Sequence, residues 1–145
     1  MQKIYLANDH AATEIKSEVI EFLKSHDFEV INLGTDSTDS VHYPEYASQL
    51  AKEVQSNNDL GILMCGSGIG VSMVANRFKG VRAALCKSVE EATLSKQHNN
   101  ANVLCLGARV STIEEIKAMI KVWLDTEFEG GRHQTRIDMF NDLGS

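Results

Sequence analysis

Proline is almost missing from this sequence: Pro44 is the only one in 145 residues. Nothing resembles a proline-rich linker, an internal repeat or a low-complexity tract, so a single domain spanning residues 1–145 is expected. Cysteine is scarce and odd in number, at Cys65, Cys86 and Cys105. That does not suggest a disulfide framework. No apolar run approaches the ~20 residues that a membrane-spanning helix needs. The opening MQKIYLANDH reads as a strand rather than a charged leader, and a soluble, cytoplasmic protein is expected. Basic residues form no run, apart from the cluster Arg132, His133 and Arg136. With a net charge of -6, non-specific nucleic-acid binding is not expected. No H-x-x-x-H, C-x-x-C or paired carboxylate–histidine spacing stands out, so neither a metal nor a redox cofactor is expected.

What is present is alternation. Short apolar runs at 3–9, 28–34, 60–65, 81–86 and 102–107 read as five strands. Between them lie segments of helical period. One starts at Ala12, one at Pro44, which suits a first helical turn, and one runs from the glycine turn to about Phe78. Capping-box patterns at Ser88/Glu91 and Ser111/Glu114 open two more, and a last helix is expected at about 134–143. This is the pattern of an α/β protein: a five-stranded parallel sheet with helices on both faces, a Rossmann-like three-layer sandwich. Ligands of such sheets bind beyond the carboxyl ends of the strands. Those ends carry Asp9, His10, Gly34, Cys65, Cys86 and Gly107.

The stretch MCGSGIGV, residues 64–71, interrupts the third strand and opens a helix. It is not a dinucleotide fingerprint, because Val71 stands where the third glycine belongs. It is not a Walker loop, because no Gly-Lys-Ser/Thr follows, and Ser67 is not flanked as a nucleophile elbow requires. What remains is a run of backbone N–H groups suited to an anion or an oxyanion, or glycines that merely allow close packing. Cys65 at its mouth is either a nucleophile or base, favoured as thiolate by a helix N-terminus, or a small buried hydrophobe, as Cys86 and Cys105 are read. Asp9 and His10 end the first strand, where Asp9 could equally cap the next helix. His98 and Asn99 precede the fifth strand and could be incidental surface residues. Arg132 and Arg136, four apart, could grip a phosphate or form a solvated pair. His42 and Tyr43 could contact a ligand or close a turn. Together these residues fit metal-free proton transfer on a phosphorylated carbonyl compound.

The segments NDHAA (8–12), NLGT (32–35), HYPEYA (42–47), ILMCGSGIGVSMVANRFKGVRAA (62–84), SKQHNNANVLCLGARV (95–110) and FEGGRHQTR (128–136) resemble the type B ribose-5-phosphate isomerases, in the family that includes galactose-6-phosphate isomerase subunits. The resemblance spans nearly the whole chain. It implies a cofactor-free aldose–ketose isomerase acting on ribose 5-phosphate and ribulose 5-phosphate. The implied assembly is a homodimer or homotetramer, with each site built across a dimer interface.

By the same resemblance Cys65 moves the proton between C1 and C2 through a cis-enediolate, and Ser67 assists. The loop Gly66, Gly68, Ile69 and Gly70 supplies amides to the enediolate oxygens. His98 and Asp9 help to open the furanose ring. His10, Arg109, Arg132 and Arg136 hold the phosphate, and Asn99 and Tyr43 contact the sugar. Some family members carry a glutamate just beyond the glycine turn instead of the cysteine; Val71 stands there in this chain. The alternatives are an isomerase of a six-carbon sugar phosphate, such as allose 6-phosphate or galactose 6-phosphate, and a non-catalytic sugar-phosphate-binding subunit.

Overall fold

The computed structural model describes residues 1–145. Five strands form one all-parallel sheet in the order β2-β1-β3-β5-β4. They are β1 (Gln2–Asn8), β2 (Phe28–Asn32), β3 (Leu60–Cys65), β4 (Ala83–Leu85) and β5 (Val103–Gly107). The helices are α1 (Thr13–Ser25), α2 (Tyr43–Asn57), α3 (Ile69–Ala75), α4 (Val89–Gln97), α5 (Ile113–Asp125) and α6 (Arg132–Asp138).

Successive side chains of a strand point to opposite faces, and here both faces are covered. Ile4, Leu6, Ile62, Met64, Leu104 and Leu106 pack with Val19 and Leu23 of α1, Ala92 of α4 and Ile116, Ile120 and Trp123 of α5. The alternate positions Tyr5, Ala7, Leu63, Cys65, Val103 and Cys105 pack with Ala47, Leu50 and Val54 of α2 and Val71 and Ala75 of α3. Burial on both sides explains why the central strands are continuous apolar runs. The expected three-layer, Rossmann-like architecture is therefore what forms. No helix is long and apolar enough to cross a membrane.

Several boundaries differ from the sequence expectation. Asp9 caps a single 3₁₀ turn, His10–Ala12, by accepting from the Ala11 N–H at 2.9 Å, and α1 begins only at Thr13. The fifth helix is capped one residue later than expected: Thr112 and Glu115, not Ser111 and Glu114, form the reciprocal box. The Ser111 N–H is taken by the Gly107 carbonyl at 3.0 Å, which keeps that residue in the turn. The third helix stops at Ala75, and its C-cap Asn76 keeps the helical backbone bond to Ser72 O at 3.1 Å while its side chain turns elsewhere. Asn76 pairs its side-chain amide with both the N–H and the carbonyl of Ala83, at 2.8 and 2.9 Å, and so covers the outer edge of the short strand β4. Residues 81 and 82 lie outside that strand. The last helix begins directly after the glycine pair, where Gly130 (φ 72) and Gly131 (φ 57) turn the chain, and it ends at Asp138.

The end of α6 is tied back by Arg82. Its guanidinium donates to Gly80 O, Asn100 O and Asn141 Oδ1 at 3.2, 2.9 and 2.7 Å. Lys96 of α4 performs a similar task, donating to Trp123 O at 3.1 Å with its ammonium 4.9 Å from the Trp123 ring. Replacing Arg82 with Met would leave two partly buried acceptors, Asn100 O and Asn141 Oδ1, without their donor, while Gly80 O keeps its bond from Asn102 Nδ2 at 2.9 Å. It is expected to cost about 1–3 kcal/mol, read as a lower urea midpoint at unchanged slope; an unaltered midpoint would contradict this role.

Candidate functional site

The carboxyl ends of β1, β3 and β5 meet at an open cleft of about 610 Å³, lined by Asp9, Tyr43, Cys65, Gly66, Ser67, Ile69, Gly70, Met73, Arg109 and Val110. Parallel topology explains the meeting, since each strand releases its chain at this one edge. The loop after β3 is clamped to the loop after β5: the Ala108 N–H donates to Cys65 O at 2.8 Å and the Arg109 N–H to Gly66 O at 3.0 Å. Gly68 sits at φ +83, a conformation that L side chains rarely adopt. At Gly70 a Cβ would come within 2.5 Å of the Tyr43 ring. The packing explanation of the glycines is therefore realised at both positions.

The amides are less free than the sequence suggests. The Gly68 N–H donates to Cys65 Sγ at 3.0 Å, and the Ile69 N–H to Ser67 Oγ at 3.1 Å. The Gly66 and Ser67 N–H groups have no internal acceptor. The loop amides left without an internal partner are thus those of Gly66 and Ser67, while Gly68 serves the sulfur. Asp9, 7% exposed, both caps the turn and lines the cleft. Its two oxygens allow both tasks. His10 Nδ1 accepts from the Val41 N–H at 3.1 Å, which leaves Nε2 as the nitrogen that carries a proton in the neutral ring.

The three thiols are not alike. Burial, with Glu91 nearby, pushes Cys86 up to about 11. Burial, with two neighbouring thiols, pushes Cys105 higher still. Cys105 has no exposed surface and Cys86 has 2%; Cys65 has 5%, and of the three it alone lines the cleft.

The remaining candidates lie elsewhere. His98 caps α4 just before β5 begins, at the amino edge of the sheet. Arg132 and Arg136 share α6, and the Glu129 N–H bonds Gln97 O at 3.1 Å, which joins α6 and its loop to the same edge. Asn99 lines a smaller amino-edge cavity with Arg82 and Phe140. A larger cavity of about 520 Å³ also lies at the amino edge. It is lined by the C-terminal tail and residues 76–81, and contains none of the candidate residues. Strand β5 is five residues long, so at ~3.3 Å per residue its two ends are roughly 15 Å apart. The candidate residues thus fall into two groups on opposite edges: Asp9, His10, Tyr43, Cys65, Ser67 and Arg109 on one, His98, Asn99, Arg132 and Arg136 on the other.

The amino-edge group also contains two residues that the sequence reading left unassigned. His98 and His133 stack with centroids 4.3 Å apart, and Glu129 Oε1 lies 3.8 Å from His98 Nε2 and 3.5 Å from His133 Nε2. Desolvation first, then the charges of His98 and Arg132, lower the pKa of His133. The signal was present: Glu129 and His133 are four apart, the carboxylate–histidine spacing that the sequence reading did not find. Two intervening glycines disguised it.

Residues 4–140 match the family described as Ribose/Galactose Isomerase. The chain belongs to that family. Ribose-5-phosphate isomerase B of Escherichia coli (strain K12) is 44% identical over 139 residues, covering 95% of this chain and 93% of its own. The structure of the Thermotoga maritima ribose 5-phosphate isomerase has a TM-score of 0.93 at 43% identity, covering 97% of each chain. That of Mycoplasma genitalium ribose-5-phosphate isomerase B with bound ribulose-5-phosphate has a TM-score of 0.92 at 46% identity, covering 94% of this chain and 92% of that one. Membership makes this chain an isomerase, and the Rossmann-like fold is the one its family shares.

The environments of the thiols lead to a chemical test. At pH 8 iodoacetamide is expected to label Cys65 in the native protein while Cys86 and Cys105 stay unlabelled until denaturation. Peptide mass mapping reads the pattern, and equal labelling of all three would contradict it.

Proposed function

We propose that this chain interconverts ribose 5-phosphate and ribulose 5-phosphate by cofactor-free proton transfer through a cis-enediolate. The observation that carries the reading is the cleft, where the one lining thiol shares the wall with two backbone amides that have no internal acceptor, with Asp9 and with Arg109. A proton alpha to a carbonyl is weakly acidic. Its removal needs a base near the reacting carbons and donors for the oxygen charge that develops. Cys65 is the base in this reading, and the Gly66 and Ser67 amides receive the enediolate. The amide of Gly68 stabilises negative charge on the sulfur. Ser67 Oγ and the rest of the loop, through Ile69 and Gly70, fix the geometry. Support for the substrate comes from the Mycoplasma genitalium relative, whose structure contains ribulose-5-phosphate.

The other half of the chemistry belongs to a second copy. We infer a homodimer, alone or paired into a tetramer, in which the amino edge of one protomer faces the carboxyl edge of its partner. Two features support it. The half-sites are too far apart to meet within one chain. The cleft is rimmed by apolar groups that a monomer leaves in water, Ile69 (44% exposed), Met73 (66%) and Val110 (54%). In this assembly His98 helps to open the furanose ring with Asp9, Asn99 and Tyr43 contact the sugar, and His10, Arg109, Arg132 and Arg136 hold the phosphate. Three free thiols suit a reducing, cytoplasmic location.

Replacing Cys65 with Ala is expected to lower isomerisation at least ~100-fold, the lower end of general-base effects, with an unaltered circular dichroism spectrum; normal turnover would remove the thiol from the mechanism. Arg132→Ala is expected to raise KM much more than it lowers kcat, because the phosphate is remote from C1 and C2. A panel of ribose 5-phosphate, allose 6-phosphate and galactose 6-phosphate tests the substrate. Higher kcat/KM for a six-carbon sugar would overturn the assignment, and binding without any turnover would make the chain a non-catalytic subunit.

A further inference from the structure

The stacked histidines and their carboxylate have a use beyond sugar chemistry. We propose that His98, Glu129 and His133 form an inhibitory binding site for a borderline-soft divalent metal, of which Zn²⁺ is the type. The inhibitory role rests on the function proposed above; the binding does not.

The three side chains come from the C-cap of α4, the loop before α6 and the second residue of α6. Two backbone bonds hold these pieces together, Glu129 N–H to Gln97 O and His133 N–H to Gly130 O, both 3.1 Å. One ligand atom from each residue lies within 4.8 Å of the other two. Around tetrahedral zinc with bonds of ~2.0–2.2 Å, neighbouring ligand atoms are roughly 3.3–3.5 Å apart. The Glu129 Oε1 to His133 Nε2 separation of 3.5 Å already fits, and the Glu129 to His98 separation of 3.8 Å is close. Two imidazoles and one carboxylate are a zinc-type donor set and a poor one for Mg²⁺ or Ca²⁺, which prefer all-oxygen shells.

The site is anchored on one side and open on the other. The His133 side chain is 10% exposed, while His98 and Glu129 are 40% and 51% exposed. Three protein ligands with an open fourth position suit a metal that comes and goes. One feature makes its binding antagonistic to catalysis. The two rings are nearly parallel, 13° apart, so their lone pairs do not converge on one point. His98, the more exposed ring, must turn toward Glu129 to share the metal with His133. That movement, and the loss of the nitrogen lone pair to the metal, withdraws His98 from proton transfer at the sugar. The charges of Arg132 and Arg136 on the same helix oppose a cation. That repulsion favours a reversible inhibitor over a resident metal.

The experiment uses the full-length enzyme stripped with EDTA and dialysed. Calorimetric titration with ZnCl₂ is expected to give one site per chain. Turnover is expected to fall as that site fills and to return on adding EDTA, with MgCl₂ inert. The Cys65→Ala protein is expected to bind Zn²⁺ equally well, which excludes the cleft thiol as the ligand. Glu129→Gln and His133→Gln are each expected to weaken binding at least ~10-fold; the first replaces an exposed side chain, so it reports even if the second destabilises the fold. No binding, or binding unchanged in Glu129→Gln, overturns the site. Binding at these residues without loss of turnover overturns the inhibitory role. A stripped enzyme that turns over no sugar phosphate refutes the proposed function instead, and the calorimetry still decides the site.

Discussion

All five strands point the same way, so the chain leaves each strand at one edge of the sheet and begins the next at the other. Everything about the site follows from this polarity. Residues that end strands, such as Asp9 and Cys65, collect at the carboxyl edge. Residues that precede strands, such as His98 before β5, collect at the amino edge. The sheet between them is a rigid spacer, buried on both faces by helices. A reaction that needs both groups cannot be completed inside one protomer, and the exposed Ile69, Met73 and Val110 around the cleft are apolar surface that the proposed second copy would cover.

Within the carboxyl edge the glycine loop is ordered by its own backbone. The loop after β5 pins it from one side, through Ala108 and Arg109. Cys65 Sγ and Ser67 Oγ occupy two of its amides from within. The result is a thiol held by the Gly68 amide in a loop whose Gly66 and Ser67 amides still lack partners. Preorganised donors of this kind stabilise developing charge without having to reorient as the reaction proceeds.

The layered fold was legible because strands buried on both faces must be apolar throughout, and 60–65 and 103–107 are. The gathering of Asp9, His10 and Cys65 at the carboxyl edge was legible for a related reason: they stand at the ends of apolar runs that the pattern reads as parallel strands, although Asp9 also caps a turn and His10 also holds the Val41 N–H. Boundaries were harder. Ser111 and Thr112 both precede a glutamate at the capping distance, and only the Gly107 carbonyl, which takes the Ser111 N–H, decides between them. Nor could the sequence announce that the side chain of Asn76, the C-cap of its helix, pairs with β4. The amino half was the least legible, because His98, Glu129 and His133 become neighbours only when α4, a loop and α6 meet.

The account depends most on the two half-sites being joined between copies. Mixing two inactive proteins, Cys65→Ala and His98→Asn, under conditions of subunit exchange tests this directly. If the site spans the interface, each mixed dimer has one site carrying both lesions and one carrying neither, so with random exchange activity should return to roughly a quarter of the unsubstituted enzyme. If each chain works alone, every site keeps one lesion, and a mixture no more active than its components would contradict the account.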